Sequence, residues 1–347
     1  MHVTSRPRTL AVTAAVAAAV LGLSACSSSS SGSGTGSGSS GSSGSKSIKV
    51  VGYSVPKPAY DALGAAFAKT PAGKGVTLSS SYGPSGTQEK QVAGGQAADY
   101  VAFSTGSDMS KLQQAGKVAS GWDSGANKGI VADSVVVIVV KKGNPLHITG
   151  WDDLVKPGVK IVTPDPASSG SAKWNILAAY QHVISAGGTP AQAEAYLKKF
   201  FSHVVSRASS GAVATTQFTS GTGNVLISYE AEAILARQKG ESLDYIVPSQ
   251  DVLIETPAAV TQSGSSTAKA FLKFVESSAG QKIFQQKGFR PIGNAAATAS
   301  VPGATDPSKP FPQVKQLTTV GQLGGWSKVN DKFFGDNGIV TKIEASK

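Results

Sequence analysis

The chain has 347 residues, 40% of them hydrophobic and 15% charged, with 32 Lys and Arg against 21 Asp and Glu. That length supports two lobes with separate cores, and a single cysteine excludes an intramolecular disulfide and a cysteine-rich metal site. The net charge of +11 is scattered, with no Arg/Lys run interleaved with aromatics, which argues against nucleic acid as a partner; a solvated basic surface accounts for it more simply than a field that favours anionic ligands.

The chain opens "MHVTSRPRTLAVTAAVAAAVLGLSAC". Arg6 and Arg8 precede an apolar run from Leu10 to Leu23 that is short for a membrane span and ends in small residues, as a secretory signal does. The terminal "LSAC" resembles a bacterial lipobox. The resemblance implies removal of residues 1–25, lipidation of Cys26, and a mature protein anchored on the extracytoplasmic face of the cell membrane. Residues 27–46 are serine and glycine except for Thr35 and Lys46, so they bury no apolar surface. They form a tether with a typical end-to-end distance of about 25 Å.

Beyond the tether, "SIKVVGY" predicts a strand, "AYDALGAAFAKT" a helix, "GVTLSSSY" a strand, "TQEKQVAGG" a helix and "DYVAFS" a strand. The apolar run "SVVVIVVKKGNP" and then "VKIVTP" follow as strands, with helices over "NILAAYQHVI" and "PAQAEAYLKKFF" and a strand at "NVLISY". Strands at "DYIVPS" and "PAAVTQ" and a helix over "STAKAFLKFVESSAG" complete the pattern. Short β-branched runs alternating with helical periodicity predict an α/β fold with a mostly parallel sheet flanked by helices.

Small polar residues recur where strands give way to helices: Ser54, Ser85, Ser169 to Ser171, Gly211 and Ala212, and Tyr229. The first N–H groups of a helix lack internal acceptors, and the dipole concentrates partial positive charge there, so each mouth attracts anions. Taken singly, Ser168 or Ser169 reads as an ordinary N-cap. Taken together, the junctions lie where open α/β sheets bind ligands, at the carboxyl ends of strands, and they offer N–H and hydroxyl donors with no obligatory cation. That chemistry suits a small oxyanion. Phosphate fits less well, because its proton at neutral pH finds no acceptor in a donor-only site.

The segments "SYGPSGTQ", "KKGNP", "WDDLVKPGVKIVTPDPASSGSAKWN", "NVLISYEAEA", "IVPSQDVLIE" and "SSAGQKIFQQKGFRP" resemble the sulfate-binding periplasmic protein family, from about Lys49 to Pro291. The C-terminal "LGGWSKVNDKFFGDNGIVTKI" is similar to the actinobacterial lipoproteins of that family. The resemblance implies a type II periplasmic-binding-protein fold, with two α/β lobes joined by crossovers and the ligand cleft between them. Residues 47–134 and 253–347 would form lobe one and residues 135–252 lobe two. It also implies a monomeric, non-catalytic receptor that hands sulfate or thiosulfate to the transmembrane permease subunits of an ABC importer, with neither cofactor nor metal. Carried over residue by residue, Ser85 holds the anion from the first lobe, Ser169, Gly170 and Ser171 match an "SSGG" mouth in the second, and Ala212 donates its N–H. Ser54 stands where many members have aspartate, Val213 where many have arginine, and Tyr229 where many have tryptophan. A phenol donates or accepts where an indole only donates. Tyrosine occurs at a similar place in molybdate receptors of the same fold, so a molybdate or tungstate receptor is the rival reading.

Two other classes are weaker. "STAK", Ser266 to Lys269, has the Ser-x-x-Lys spacing of penicillin-binding enzymes but none of its companion motifs, and "GPSGT" around Ser85 does not match a nucleophile elbow. His147, His182 and His203 are too far apart for a metal set. A cell-wall adhesion module on a lipid anchor would share the composition but would have no use for converging helix mouths. Lys57 and Lys173 are left outside the ligand shell, and Trp174 is assigned to packing.

Overall fold

The structure is a computed structural model and describes residues 46–346. The signal segment, Cys26 and all of the tether but Lys46 lie outside the described residues. Three strand–helix units open the fold: β1 (Lys46–Tyr53) with α1 (Lys57–Phe67), β2 (Val76–Gly83) with α2 (Ser85–Ala93), and β3 (Tyr100–Ala102) with α3 (Gly106–Gln114). β1 lies between β2 and β3 and is parallel to both. Then come β4 (Ile130–Lys141), β5 (Ile161–Pro164), α4 (Gly170–Ser185), α5 (Pro190–Ser202), β6 (Val204–Ala208), α6 (Gly211–Thr219), β7 (Val225–Tyr229), α7 (Glu230–Gln238) and β8 (Leu243–Ile246). The chain continues through β9 (Gln250–Val260), α8 (Ser266–Glu276), α9 (Ser278–Gln286), β10 (Gln316–Thr318), α10 (Gly325–Phe333) and α11 (Ile339–Ala345).

The fold is the expected α/β one, with spatial strand order β2-β1-β3-β9-β4-β7-β5-β6. Its flanks are parallel, since β5 also runs parallel to β6 and β7. Its centre is antiparallel, built on the two long strands. Ile130 to Val135 of β4 pair with β9, and from Val136 onward β4 pairs with β7, joined by β8 from Ile138. β4 therefore ties one sheet half to the other. The Asp251 carboxylate caps the fork, accepting from the Val136 N–H at 3.4 Å and the Val252 N–H at 2.7 Å. β4 is apolar because both faces are covered: Val135 to Val139 are fully buried. Each such side chain stabilises the fold by about 1.5–3 kcal/mol.

β9 is longer than the strand expected at "PAAVTQ". Pro257 lacks the N–H that a central ladder uses and reads as an interruption. It is tolerated because the ladders change partner there: Leu253 to Pro257 face β4, whereas Ala258 to Val260 face β3.

The C-terminal helices close over α4. The rings of Trp326 and Trp174 meet edge to face at 4.8 Å, as do those of Phe333 and Tyr180. Lys173 Nζ donates to Asn330 at 2.9 Å, and Glu344 pairs with Arg207 on β6. Gly106, at the start of α3, lies against Trp326, so this segment touches both sheet halves.

Candidate functional site

The two parallel sets run in opposite directions, each toward the junction of the sheet halves, and the helices that follow begin there, so their N-termini converge. At the mouth of α4, Ser169 sits at the N-cap position in extended backbone, yet its side chain makes no capping hydrogen bond. The capping serines and threonines lie elsewhere: Thr105 on α3, Thr189 on α5, Ser210 on α6, Ser265 on α8 and Ser277 on α9 each accept from a first-turn N–H. α4 thus begins with the donors of Gly170, Ser171 and Ala172 beyond the reach of intrahelical acceptors and with no acidic residue in its first turn. Ser169, Gly170 and Ser171 are all buried. The mouth of α6 is similar: Ser210 takes the Val213 N–H, leaving those of Gly211 and Ala212, again with no acid nearby in sequence.

From the other sheet half, Ser85 begins α2 and is buried. Its Oγ donates to Asp108 Oδ2 at 2.7 Å and accepts from the Ser104 N–H at 2.9 Å. The proton expected to point at the anion is therefore held by Asp108, a partner that sequence spacing does not reveal. Tyr229, at the N-cap of α7, is fully buried with its hydroxyl 2.7 Å from Ser104 Oγ. Burial pushes its phenol well above the usual tyrosine range, so it stays protonated and able to donate. The adjacent Glu230 points elsewhere, to Arg290 Nε at 2.6 Å and Nη2 at 3.1 Å. Ser54, half-buried, lines a cavity of about 210 Å³ together with Ala212, Thr215 and Glu232.

Close approaches join these pieces. A Cβ on Gly170 would stand 2.6 Å from the Cβ and Oγ of Ser104, and one on Gly211 would stand 3.1 Å from Ser171 Oγ and from Val55. The Gly86 N–H donates to the Ser168 carbonyl at 3.1 Å, and Trp174 Nε1 to the Ser104 carbonyl at 2.8 Å. Ser85, Ser104, Gly170 and Tyr229 thus meet at the junction of the two sheet halves, with Ser169 and Ser171 flanking Gly170 in the chain, while Ser54 and Ala212 line the cavity beside Val55. Trp174 packs as expected and also bridges the halves.

Ser104 is the residue that sequence reading missed. "FSTGSD" repeats the hydroxyl-then-glycine pattern of "SSGS" and "SSGA", but the run "DYVAFS" reads as strand to its end. Lys57 pairs with Asp61 on α1 at 2.7 Å, and Lys173 reaches across to α10, so neither points a free ammonium at the donors. "STAK" opens α8 behind the Ser265 cap. His182 lies 3.1 Å from Asp152, and His203 contacts the Val159 carbonyl, both away from this meeting point. Among the described residues, no group of His, Cys, Asp and Glu is placed to hold a metal ion, and no helix is long and apolar enough to cross a membrane.

Comparison with known proteins bears on what this arrangement serves. Residues 48–290 match the family model described as bacterial extracellular solute-binding protein. The sulfate-binding protein of Synechococcus elongatus is 38% identical over 309 residues, covering 86% of each chain. The thiosulfate-binding protein of Pseudomonas aeruginosa is 31% identical over 84% of this chain and 90% of its own. The solved structure of the sulfate-binding protein SubI from Mycobacterium tuberculosis superposes with a TM-score of 0.77 at 41% identity, covering 83% of this chain and 99% of that one. With a sulfate-binding relative 38% identical over most of its length and the same fold in a sulfate-binding protein of solved structure, the chain belongs to the sulfate-binding family of bacterial extracellular solute-binding proteins.

Proposed function

We propose that the protein captures sulfate, and with it thiosulfate, outside the cytoplasm and delivers it to the permease of an ABC importer without catalysing a reaction. The observation that carries this reading is the uncapped mouth of α4, buried against Ser85, Ser104 and Tyr229 from other elements. A dianion there gains N–H and hydroxyl donors at a positive helix end, which costs no reorganisation of a cation. The two sheet halves act as the lobes of a clamp, with residues 47–134 and 253–347 opposed to 135–252, and the protein works as a monomer. Tyr229 supports a second reading, a molybdate or tungstate receptor, because its hydroxyl replaces the indole donor common in sulfate receptors.

A ligand selective for the folded state stabilises it by about 2.7 kcal/mol at a hundred times its dissociation constant. Millimolar sulfate is therefore expected to raise the melting temperature, and to go on raising it with the logarithm of concentration. A melting temperature unmoved by sulfate but raised by molybdate would transfer the assignment to the second reading.

The anchor is the other part of the proposal. Cys26 carries lipid, and the serine/glycine segment lets the receptor reach its permease. Cys26→Ala is expected to move the protein from the membrane to the soluble fraction without changing sulfate affinity. Several acyl chains give durable attachment and one gives only marginal binding. A Cys26→Ala protein that still sediments with membranes would contradict the anchor.

A further inference from the structure

Every polar atom of Ser104 is committed at the meeting point of the two halves. Its N–H donates to Ser85 Oγ at 2.9 Å, its carbonyl accepts from Trp174 Nε1 at 2.8 Å, and its Oγ lies 2.7 Å from the Tyr229 hydroxyl. Its Cβ sits where a side chain on Gly170 would have to go. Ser104 and Tyr229 are both 0% exposed, so water does not compete for either hydroxyl. We propose that Ser104 is a positioning residue for the bound anion: its hydroxyl donates to the Tyr229 phenol oxygen, which turns the phenol proton toward the anion at the mouth of α4.

A phenol has one proton, and once its oxygen accepts from Ser104 that proton is left facing the mouth of α4, where it turns from the neighbouring Ser171 hydroxyl to an arriving anion. In this low-dielectric setting an oxyanion is the strongest acceptor that can arrive, and a hydroxyl already polarised by an incoming hydrogen bond donates more strongly. Ser104 follows β3 in one sheet half, whereas Tyr229, Gly170 and Trp174 belong to the other. The phenol is therefore aimed only when the halves meet, which makes closure and the last donor to the anion one event. Ser85 is drawn into the same chain, since the Ser104 N–H fills one of its lone pairs and leaves its own proton to Asp108.

This inference rests on the oxyanion-receptor reading, and a double-mutant cycle separates the two. Calorimetric titration with sulfate is carried out on the wild type, Ser104→Ala, Tyr229→Phe and the double variant, with melting temperatures measured in the absence of sulfate. Losing a hydrogen bond to a charged group weakens binding by about tenfold or more. Each single variant is expected to show that loss, and the double variant to bind within about twofold of Tyr229→Phe, because the two hydroxyls act as one donor. If Ser104→Ala does not fold, Ser104→Cys keeps the volume with a weak donor and should bind with intermediate affinity. Unchanged sulfate affinity in the Ser104 variants, with or without a lower melting temperature, would overturn the proposal. So would losses that multiply in the double variant. A wild type that binds none of sulfate, thiosulfate or molybdate would remove the receptor reading and this inference with it.

Discussion

Replacing Gly170 by valine is expected to weaken sulfate binding by more than about a hundredfold while leaving the protein folded. The reason is geometric. A Cβ at this position would stand 2.6 Å from Ser104 Cβ and Oγ and 3.0 Å from Thr105 Cγ2, well inside van der Waals separation. Carbon atoms attract best at about 3.5–4.0 Å, so the contact becomes repulsive as soon as a side chain is added. Because Ser104 and Thr105 belong to the opposite sheet half, the clash is relieved by parting the halves rather than by unfolding either core. Parting them separates the α4 donors and Tyr229 from Ser85 and Ser104. Ser169→Ala provides the internal comparison. Its hydroxyl caps nothing, so stability should barely change, whereas the loss of a donor to a dianion should weaken binding by about 1.5–3 kcal/mol. Titration of the two variants gives the ranking directly. Wild-type affinity in Gly170→Val would mean that the two halves do not close on each other at this point.

The largest effect on stability is expected at Arg290. Arg290→Met should destabilise the protein by about 3–5 kcal/mol, read as a lower urea midpoint with an unchanged slope. The guanidinium is 1% exposed and holds Glu230, itself 0% exposed, through two N–H donors, while Nη2 also donates to the Pro312 carbonyl at 3.0 Å. Burial alone raises the Glu230 carboxyl above its usual range, and Arg290 opposes that shift. Without the arginine, a carboxylate must be buried uncompensated or take up a proton. Glu230→Gln in the same background should recover part of the loss, because the carboxylate that Arg290 holds through two N–H donors is then gone. Glu230 follows Tyr229 directly, so the pair also fixes the start of the helix that presents the phenol. A loss below about 1 kcal/mol for Arg290→Met would contradict this account of the buried pair.

Much of this architecture is legible in the sequence because local chemistry and tertiary environment agree. β1, β2, β4, β5 and β7 announce themselves through β-branched runs, and α1, α4, α5 and α8 through helical periodicity between turn residues. Where the signal is weak, the environment is responsible. β3 is three residues long, β6 is an edge strand with a half-buried "VVSR", and β9 carries a proline at the point where its partner changes. The site divides in the same way. Its serines and glycines are visible because strand-to-helix junctions collect such residues whatever their use. What each one does is not visible. Ser169 and Ser210 look alike in sequence, yet only Ser210 caps, because capping depends on where the hydroxyl lies relative to the third amide of the turn. Ser104 gains its importance from partners 19, 70 and 125 residues away, and Ser85 gives its proton to a carboxylate 23 residues along the chain. Such separations leave no periodic trace.

The central claim, that converging buried donors hold a tetrahedral dianion, is tested most directly by calorimetric titration of the protein with sulfate at neutral pH, repeated in the presence of thiosulfate, molybdate or phosphate. The account predicts saturation at one sulfate per chain, displacement by thiosulfate, and weaker competition from phosphate, because the Asp108 carboxylate beside the mouth is already engaged by the Ser85 hydroxyl. Saturable binding of molybdate or phosphate with no heat from sulfate would contradict it.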